Sequence, residues 1–182
     1  AVLDEIRAGD AAERALTNWA RRSRYAGSGD RAAVRDHVFD ALRCRRSFGW
    51  LGGGEDGRAL MLGALRAGGE DPSVMFTGEG HAPAPVTADE GGQSLDTAPE
   101  AVRLDTPDWL VPDLQASLAE DFAPVMEALR HRAPVFLRAN LARATRDEAA
   151  RALAEEGIET RPSPLAETAL EVTTRARAVS GS

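Results

Sequence analysis

Lysine is absent from this sequence, and all 22 of its basic residues are arginine; isoleucine and asparagine occur only twice each. This pattern fits an alanine- and arginine-rich, GC-rich coding background, so the abundance of arginine does not by itself argue for a nucleic-acid partner. Cysteine is nearly absent. The single Cys44 excludes an intramolecular disulfide, and with only His37, His81 and His131 beside it the chain offers no zinc-ligand spacing. No apolar run approaches the roughly 18 residues that a membrane-spanning helix needs. The first residues, Ala1-Val2-Leu3-Asp4-Glu5, lack the basic-then-apolar layout of a secretory signal. A cytoplasmic protein without membrane or metal partners is the expectation.

What is there suffices for one ordinary domain or two small ones: 182 residues, 43% hydrophobic and 28% charged. The net charge of −7 is unevenly placed. Residues 1–70 carry 12 arginines against 10 acids, residues 71–130 carry 2 against 12, and residues 131–182 carry 8 against 7. The acidity therefore lies in the middle, and the flanking segments are the ones able to present a basic face to a phosphate backbone.

The Asp10 to Glu13 spacing has capping-box form and opens an amphipathic helix expected to run to about residue 24. A second helix, capped by Ser28 or Asp30, is expected to reach about residue 50 and to stop at Gly52-Gly53-Gly54; a third spans about 55–66. Residues 70–103 interleave proline and glycine without periodicity, which predicts an irregular connection, either a boundary or a docked extended segment. Thr106-Pro107 reads as a helix start, another helix follows over about 121–131, and residues 134–140 read as a strand. Thr145 to Glu148 forms a second capping box, with Gly157 as the stop and short strands near 158–161 and 169–173. The last third is thus β-α-β in pattern, and the fold class is α+β.

No serine or cysteine lies in a strained glycine-rich elbow, so nucleophilic catalysis has no candidate, and Cys44 reads as a buried structural thiol. Gly52-Gly53-Gly54 fails the phosphate-loop spacing and reads as a helix stop. Paired acids such as Glu155-Glu156 read as solvated charge. The strongest signal in the first half is a basic stripe on the second helix, Arg31, Arg35, Arg43 and Arg46, with Phe39 among them. Arginine forks match phosphate oxygens, and an aromatic ring adds a stacking surface. The competing reading is an ordinary salt-bridged face, with Asp40 pairing Arg43. In the second half, Arg138 and Asn140 alternate on one side of the expected strand, with Arg143 and Arg146 in the loop after it. That side is either a basic recognition surface or the solvent face of a half-covered sheet.

Leu104-Asp105-Thr106-Pro107-Asp108-Trp109-Leu110, then Pro134 to Asn140, then Thr145 to Ile158 resembles, in order and spacing, the segment preceding the catalytic domain in the Sun (Fmu) family of RNA cytosine-C5 methyltransferases. Upstream, Gly29 to Ala32 followed by Leu42 to Arg46 resembles the start of the NusB-like domain that the rRNA small-subunit methyltransferase B branch carries at its N-terminus.

The resemblance implies a helical NusB-like RNA-binding domain over 1–103, including the acidic connector at about 70–103, then a small α/β subdomain similar to an RNA-recognition motif over 104–182, truncated at its C-terminus. It also implies a monomer that binds RNA, with small-subunit rRNA as partner. Family members use S-adenosylmethionine and a cysteine thiolate that attacks cytosine C6, on a Rossmann-like catalytic domain. The family's glycine-rich cofactor loop and its Pro-Cys and Thr-Cys motifs are missing from this sequence, so the expectation is an N-terminal fragment, not catalytic alone and without its own cofactor. The candidate RNA contacts are Arg31, Arg35, Arg43, Arg46, Arg138 and Asn140, the last two falling in the family's Leu-Arg-x-Asn signature. The alternative is a stand-alone NusB-like module that binds RNA or protein without enzymatic activity.

Overall fold

A computed structural model describes residues 1–174. By spatial contact the chain parts into two compact units, the first ending at His131 and the second beginning at Arg132. The first unit is helical and the second holds a small antiparallel sheet, which makes the fold α+β.

The helical unit begins with α1 (Val2–Arg7), a short helix that the sequence pattern does not reveal, because six residues are too few to display a periodicity. Its Val2 and Leu3 are buried, and Asp4 accepts the backbone N–H of Gly57 at 2.7 Å. Helix α2 (Ala12–Arg22) starts at Ala11 without a side-chain cap. The expected capping box at Asp10 does not form; Asp10 pairs with Arg14 one turn on instead. Ala15 and Leu16 face the core, joined there by Val38 and Ala41 of α3 (Ser28–Arg43), by Phe48 of α4 (Arg45–Gly52) and by Leu60 of α5 (Gly57–Ala67).

One helix was expected over residues 28–50, and two are present, broken at Cys44. The break has a distant cause. Asp105 Oδ1 accepts the backbone N–H groups of Arg46 at 2.9 Å and Ser47 at 2.8 Å, so a carboxylate nearly sixty positions away supplies the N-terminal cap of α4. Helices α4 and α5 then meet backbone to backbone. A Cβ at Gly52 would overlap the Ala59 carbonyl, and one at Gly63 would overlap that of Phe48. Gly53, at φ +78°, ends α4 in the left-handed conformation, as the glycine run predicts.

Residues 70–103 are irregular as expected and docked. Gln93 N–H donates to the Trp50 carbonyl at 3.1 Å, and the Trp50 indole donates to the Ser94 carbonyl at 3.1 Å. Arg66 donates to the carbonyls of Leu51 at 2.6 Å and Glu90 at 2.8 Å, while Arg58 grips Glu90 and lies 4.8 Å from the centre of the Phe76 ring. Short helical turns and α6 (Glu100–Arg103) lead into α7 (Val111–Leu118) and α8 (Phe122–Leu129). Thr106 does not act as the expected cap: it is buried and its hydroxyl donates to the Leu104 carbonyl at 3.1 Å, leaving a short 3-10 turn at Asp108–Leu110 before α7. The boundary read from the sequence, after residue 103, and the spatial division at His131 differ because Asp105 and Arg130 are bound into the helical unit.

The second unit runs β1 (Val135–Arg138), α9 (Arg146–Glu155), β2 (Thr160–Pro162) and β3 (Ala169–Val172). The sheet order is β1-β3-β2, with β3 antiparallel to both neighbours. The capping box of α9 forms as predicted: Glu148 N–H donates to Thr145 Oγ1 at 3.3 Å, and the Glu148 carboxylate accepts Thr145 N–H at 2.8 Å. Gly157, at φ +79°, follows the end of α9. Leu137 and Leu170 are register partners, Pro162 lies on the far side of Leu170, and Leu170 is fully buried on the face that α9 covers.

Candidate nucleic-acid interface

The four arginines of the helical stripe have different surroundings. Arg31 is exposed, with no ion pair among the described residues. Arg35 reaches back to α2 and pairs with Glu13 at 2.9 Å. Arg43 pairs with Asp40, as the alternative reading of the stripe foresaw, and its Nε is buried without a hydrogen-bond partner. Arg46 is enclosed by the 105–108 segment: its guanidinium donates to the Thr106 carbonyl and to both carboxylate oxygens of Asp108, at 2.9 and 2.8 Å. Phe39 is half-buried against the core, so it offers little of a stacking surface.

Beside the stripe lies a cluster that sequence reasoning missed. The Asp105 carboxylate is 3% exposed and accepts four hydrogen bonds, two from the start of α4, one from the Ser47 hydroxyl at 2.7 Å and one from Arg130 Nε at 2.8 Å. Arg130 also donates to Glu127 at 2.7 Å. Arg130 is a salt-bridged residue at the end of a helix in sequence terms, and nothing local marks its long-range partner. Cys44 packs against the same cluster, its thiol 3.7 Å from the Arg130 carbonyl. Burial, and then the nearby Asp105 charge, pushes the thiol pKa up, which favours the unreactive protonated form. Next to it a cleft of about 260 Å³ is lined mainly by apolar side chains, among them Leu104, Leu110, Leu114 and Met126, with Arg43 and Arg130 at its wall.

In the sheet unit, alternation along each strand sorts the side chains onto two faces. Phe136, Glu171 and Arg161 form one row across the three strands, on the face opposite Leu170. Arg161 binds Glu171 with two parallel hydrogen bonds, 2.8 Å from Nε and 2.9 Å from Nη2. The next row holds Arg138 opposite Ala169. Arg138 is exposed and carries no ion pair among the described residues. Asn140 lies beyond the end of β1, which stops at Arg138, so the expected strand to residue 140 is shorter than read. Its side-chain oxygen accepts the Ala142 N–H at 3.2 Å, and its carbonyl accepts the N–H groups of Arg143 and Ala144. Asn140 thereby shapes the turn that follows the strand. Arg143 is exposed in that turn, and Arg146 lies 3.5 Å from Asp147.

The chemistry for binding S-adenosylmethionine is not assembled by the glycines at 52–54. They follow a helix, and the space a Cβ would take at Gly53 is filled by the Gly91 carbonyl, so these residues serve backbone packing and do not fit a phosphate or cofactor cradle. Among the described residues no group of three or more histidine, cysteine, aspartate or glutamate side chains is placed to hold a metal ion. None of the helices in those residues is long and apolar enough to cross a membrane.

Residues 106–179 match the family model of the ferredoxin-like domain of RsmF/B-like methyltransferases. The similarity supports kinship with these methyltransferases at the level of that domain. Its strand order, with β3 between β1 and β2, is the layout of a β-α-β unit followed by an antiparallel strand returning through its middle. No curated protein matches this sequence.

Proposed function

We propose that this chain is the RNA-binding N-terminal region of an S-adenosylmethionine-dependent rRNA cytosine-C5 methyltransferase, and that it positions small-subunit rRNA for a separate catalytic domain. The match of residues 106–179 to a methyltransferase-associated ferredoxin-like domain carries this reading. Arg138, exposed on the face opposite Leu170 and without an ion pair among the described residues, supports it. In this proposal S-adenosylmethionine supplies the methyl group in the catalytic domain, and the residues of this chain bind and orient RNA in a monomeric cytoplasmic protein. Arg138 and Arg31 make phosphate contacts, Asn140 fixes the turn after β1, and Arg35 and Arg43 contribute from their partly neutralised pairs. Arg46 holds residues 105–108 in place.

The test is the affinity of the chain for small-subunit rRNA fragments as a function of salt. Affinity should fall steeply with added salt, and Arg138→Ala should lower the slope of log K against log [salt] by about 0.7 to 0.9, the loss of one phosphate contact. Undetectable binding at low salt would refute the proposal.

A second reading, a protein-interaction module, is favoured for the helical unit by one observation. Residues 1–131 carry 14 arginines against 22 acids, a net −8, and three of the four stripe arginines are paired within the unit. If Arg31→Ala leaves RNA affinity unchanged while Arg138→Ala reduces it, the helical unit lies outside the RNA interface.

A further inference from the structure

We infer that the cleft between α7 and α8 is a docking groove for a basic, amphipathic helical segment of a protein partner, with Trp109 at its rim as the anchor. This rests on the protein-interaction reading of the helical unit and is independent of the RNA contact assigned to Arg138.

The shape of the groove fits a helix. Leu110 and Leu114, four residues apart, line one side, and Met126 and Leu129, three apart, line the other. Those spacings set an apolar row along each side, and a third helix lies in such a trough with its own anchors at i, i+3 or i+4 and i+7. At about 260 Å³ the cleft is smaller than the roughly 300–1,000 Å³ of small-molecule sites, so it is sized for inserted side chains. At the rim, Leu129 is 64% exposed, and Trp109, which stands between the lining residues Pro107 and Leu110, is 77% exposed. Tryptophan is well buried on average and is enriched among the anchors of protein interfaces, so an indole left in water beside an apolar groove marks a contact surface. The wall can also adjust. Helix α7 buries no side chain and lies between Asp105 and Ala119, the non-glycine residues of positive φ among those described. At φ +47° and ψ −118°, Ala119 is in a conformation strained for alanine, a cost that a shift of α7 relieves.

Charge selects the occupant. From Leu104 to Leu129 the chain carries six carboxylates and no arginine, lysine or histidine. Asp105 and Glu127 are bound to Arg130, and Asp108 to Arg46. Asp113, Glu120 and Asp121 are exposed and carry no ion pair among the described residues. Asp113 precedes the groove residue Leu114, and the other two lie in the turn that joins α7 to α8. The arginines at the wall add no free positive charge, because Arg43 pairs with Asp40 and Arg130 with two carboxylates. An entering segment therefore meets apolar rows edged by unneutralised acids. Lysines or arginines beside its apolar stripe match that edge, whereas a phosphate backbone is repelled.

The probe is a fluorescein-labelled 18-residue peptide of leucine and lysine with leucine at i, i+3, i+4 and i+7, followed by anisotropy on the whole chain. It should bind saturably, while the same peptide with glutamate for lysine, and the lysine peptide with its leucines scrambled, should not. Trp109→Ala should weaken binding about 5- to 30-fold. Asp113→Arg should weaken it about 2- to 5-fold and flatten its salt dependence. Both residues are exposed, so the circular dichroism spectra and melting curves of the variants should match the parent. Unchanged affinity in Trp109→Ala overturns the inference, as does equal binding of either control peptide. A self-associating parent that Trp109→Ala renders monomeric in sedimentation equilibrium overturns it too, since a second copy would then fill the groove. If no peptide binds while Arg31→Ala leaves RNA affinity unchanged, the docking groove falls and the helical unit still lies outside the RNA interface.

Discussion

Asp105 and Arg130 form a buried ion pair, 2.8 Å from Oδ2 to Nε, with the carboxylate 3% and the guanidinium 18% exposed. The same carboxylate caps α4, so one side chain ties the start of one helix to the end of another. Asp105→Ala removes the cap and leaves Arg130 without its buried partner, a loss of about 3–5 kcal/mol by the usual measure of a broken buried pair. Asp105 also has φ +52°, a conformation that asparagine tolerates and alanine does not. Asp105→Asn should therefore be the milder change, and urea unfolding of the two variants tests the order.

Stability should depend on Glu90 at low pH. The Arg58 guanidinium, and then the Thr87 N–H, hold the Glu90 carboxyl down at about 2, against an ordinary value of 4.5. A carboxylate whose pKa is lowered by folding stabilises the native state above its unfolded pKa, and that stabilisation is lost as pH falls through the folded value. The difference in stability between the parent and Glu90→Gln should thus be constant above about pH 5 and should shrink between pH 4.5 and about 2. Thermal melts across that window measure it.

The connector depends on a close approach at Gly92. A Cβ there would overlap the Leu51 carbonyl at the end of α4. Gly92→Ala should cost about 1–3 kcal/mol of docking and expose Glu79 and Glu90 to a glutamate-specific protease. Cleavage should accelerate roughly tenfold for each 1.4 kcal/mol lost, while Gly91→Ala, where the Cβ meets open space, should leave the rate unchanged.

Arg46 and Arg31 should separate stability from binding. Arg46→Ala breaks the contacts to Thr106 and Asp108 and should lower the melting temperature without altering the salt slope of RNA binding. Arg31→Ala, at an exposed position, should do the reverse if the α3 stripe touches RNA, and a calorimetric scan beside a binding titration distinguishes them.

Much of the architecture was legible because its causes are local. The capping box at Thr145 and Glu148, the stop at Gly157 and the left-handed Gly53 each act within a few residues of where they stand, and each is present. The break at Cys44 was not legible, because the group that ends α3 and starts α4 is Asp105, far along the chain. Asp10 misled for the opposite reason: its spacing to Glu13 is right for a cap, but Arg14 competes for its carboxylate. On the candidate surface, the alternation that placed Arg138 on one side of a strand was readable, while the exposure of the whole of β1, Phe136 included, was not. Apolar residues in a strand read as core, but α9 packs on β2 and β3, and Val135, Phe136 and Leu137 are exposed on both faces of β1.

The long-range cap at Asp105 has a practical corollary for dissecting the protein. The methyltransferase-type match begins at residue 106, yet α7 and α8 belong spatially to the unit that ends at His131. A truncation that starts at residue 106 would carry Phe122 and Met126 away from the surface that buries them and would discard the Asp105 partner of Arg130. Such a piece is set to aggregate, whereas one beginning at Arg132 follows the division between the two compact units. The useful severance point for expressing the sheet unit alone is thus set by a salt bridge and not by the limits of the homologous segment.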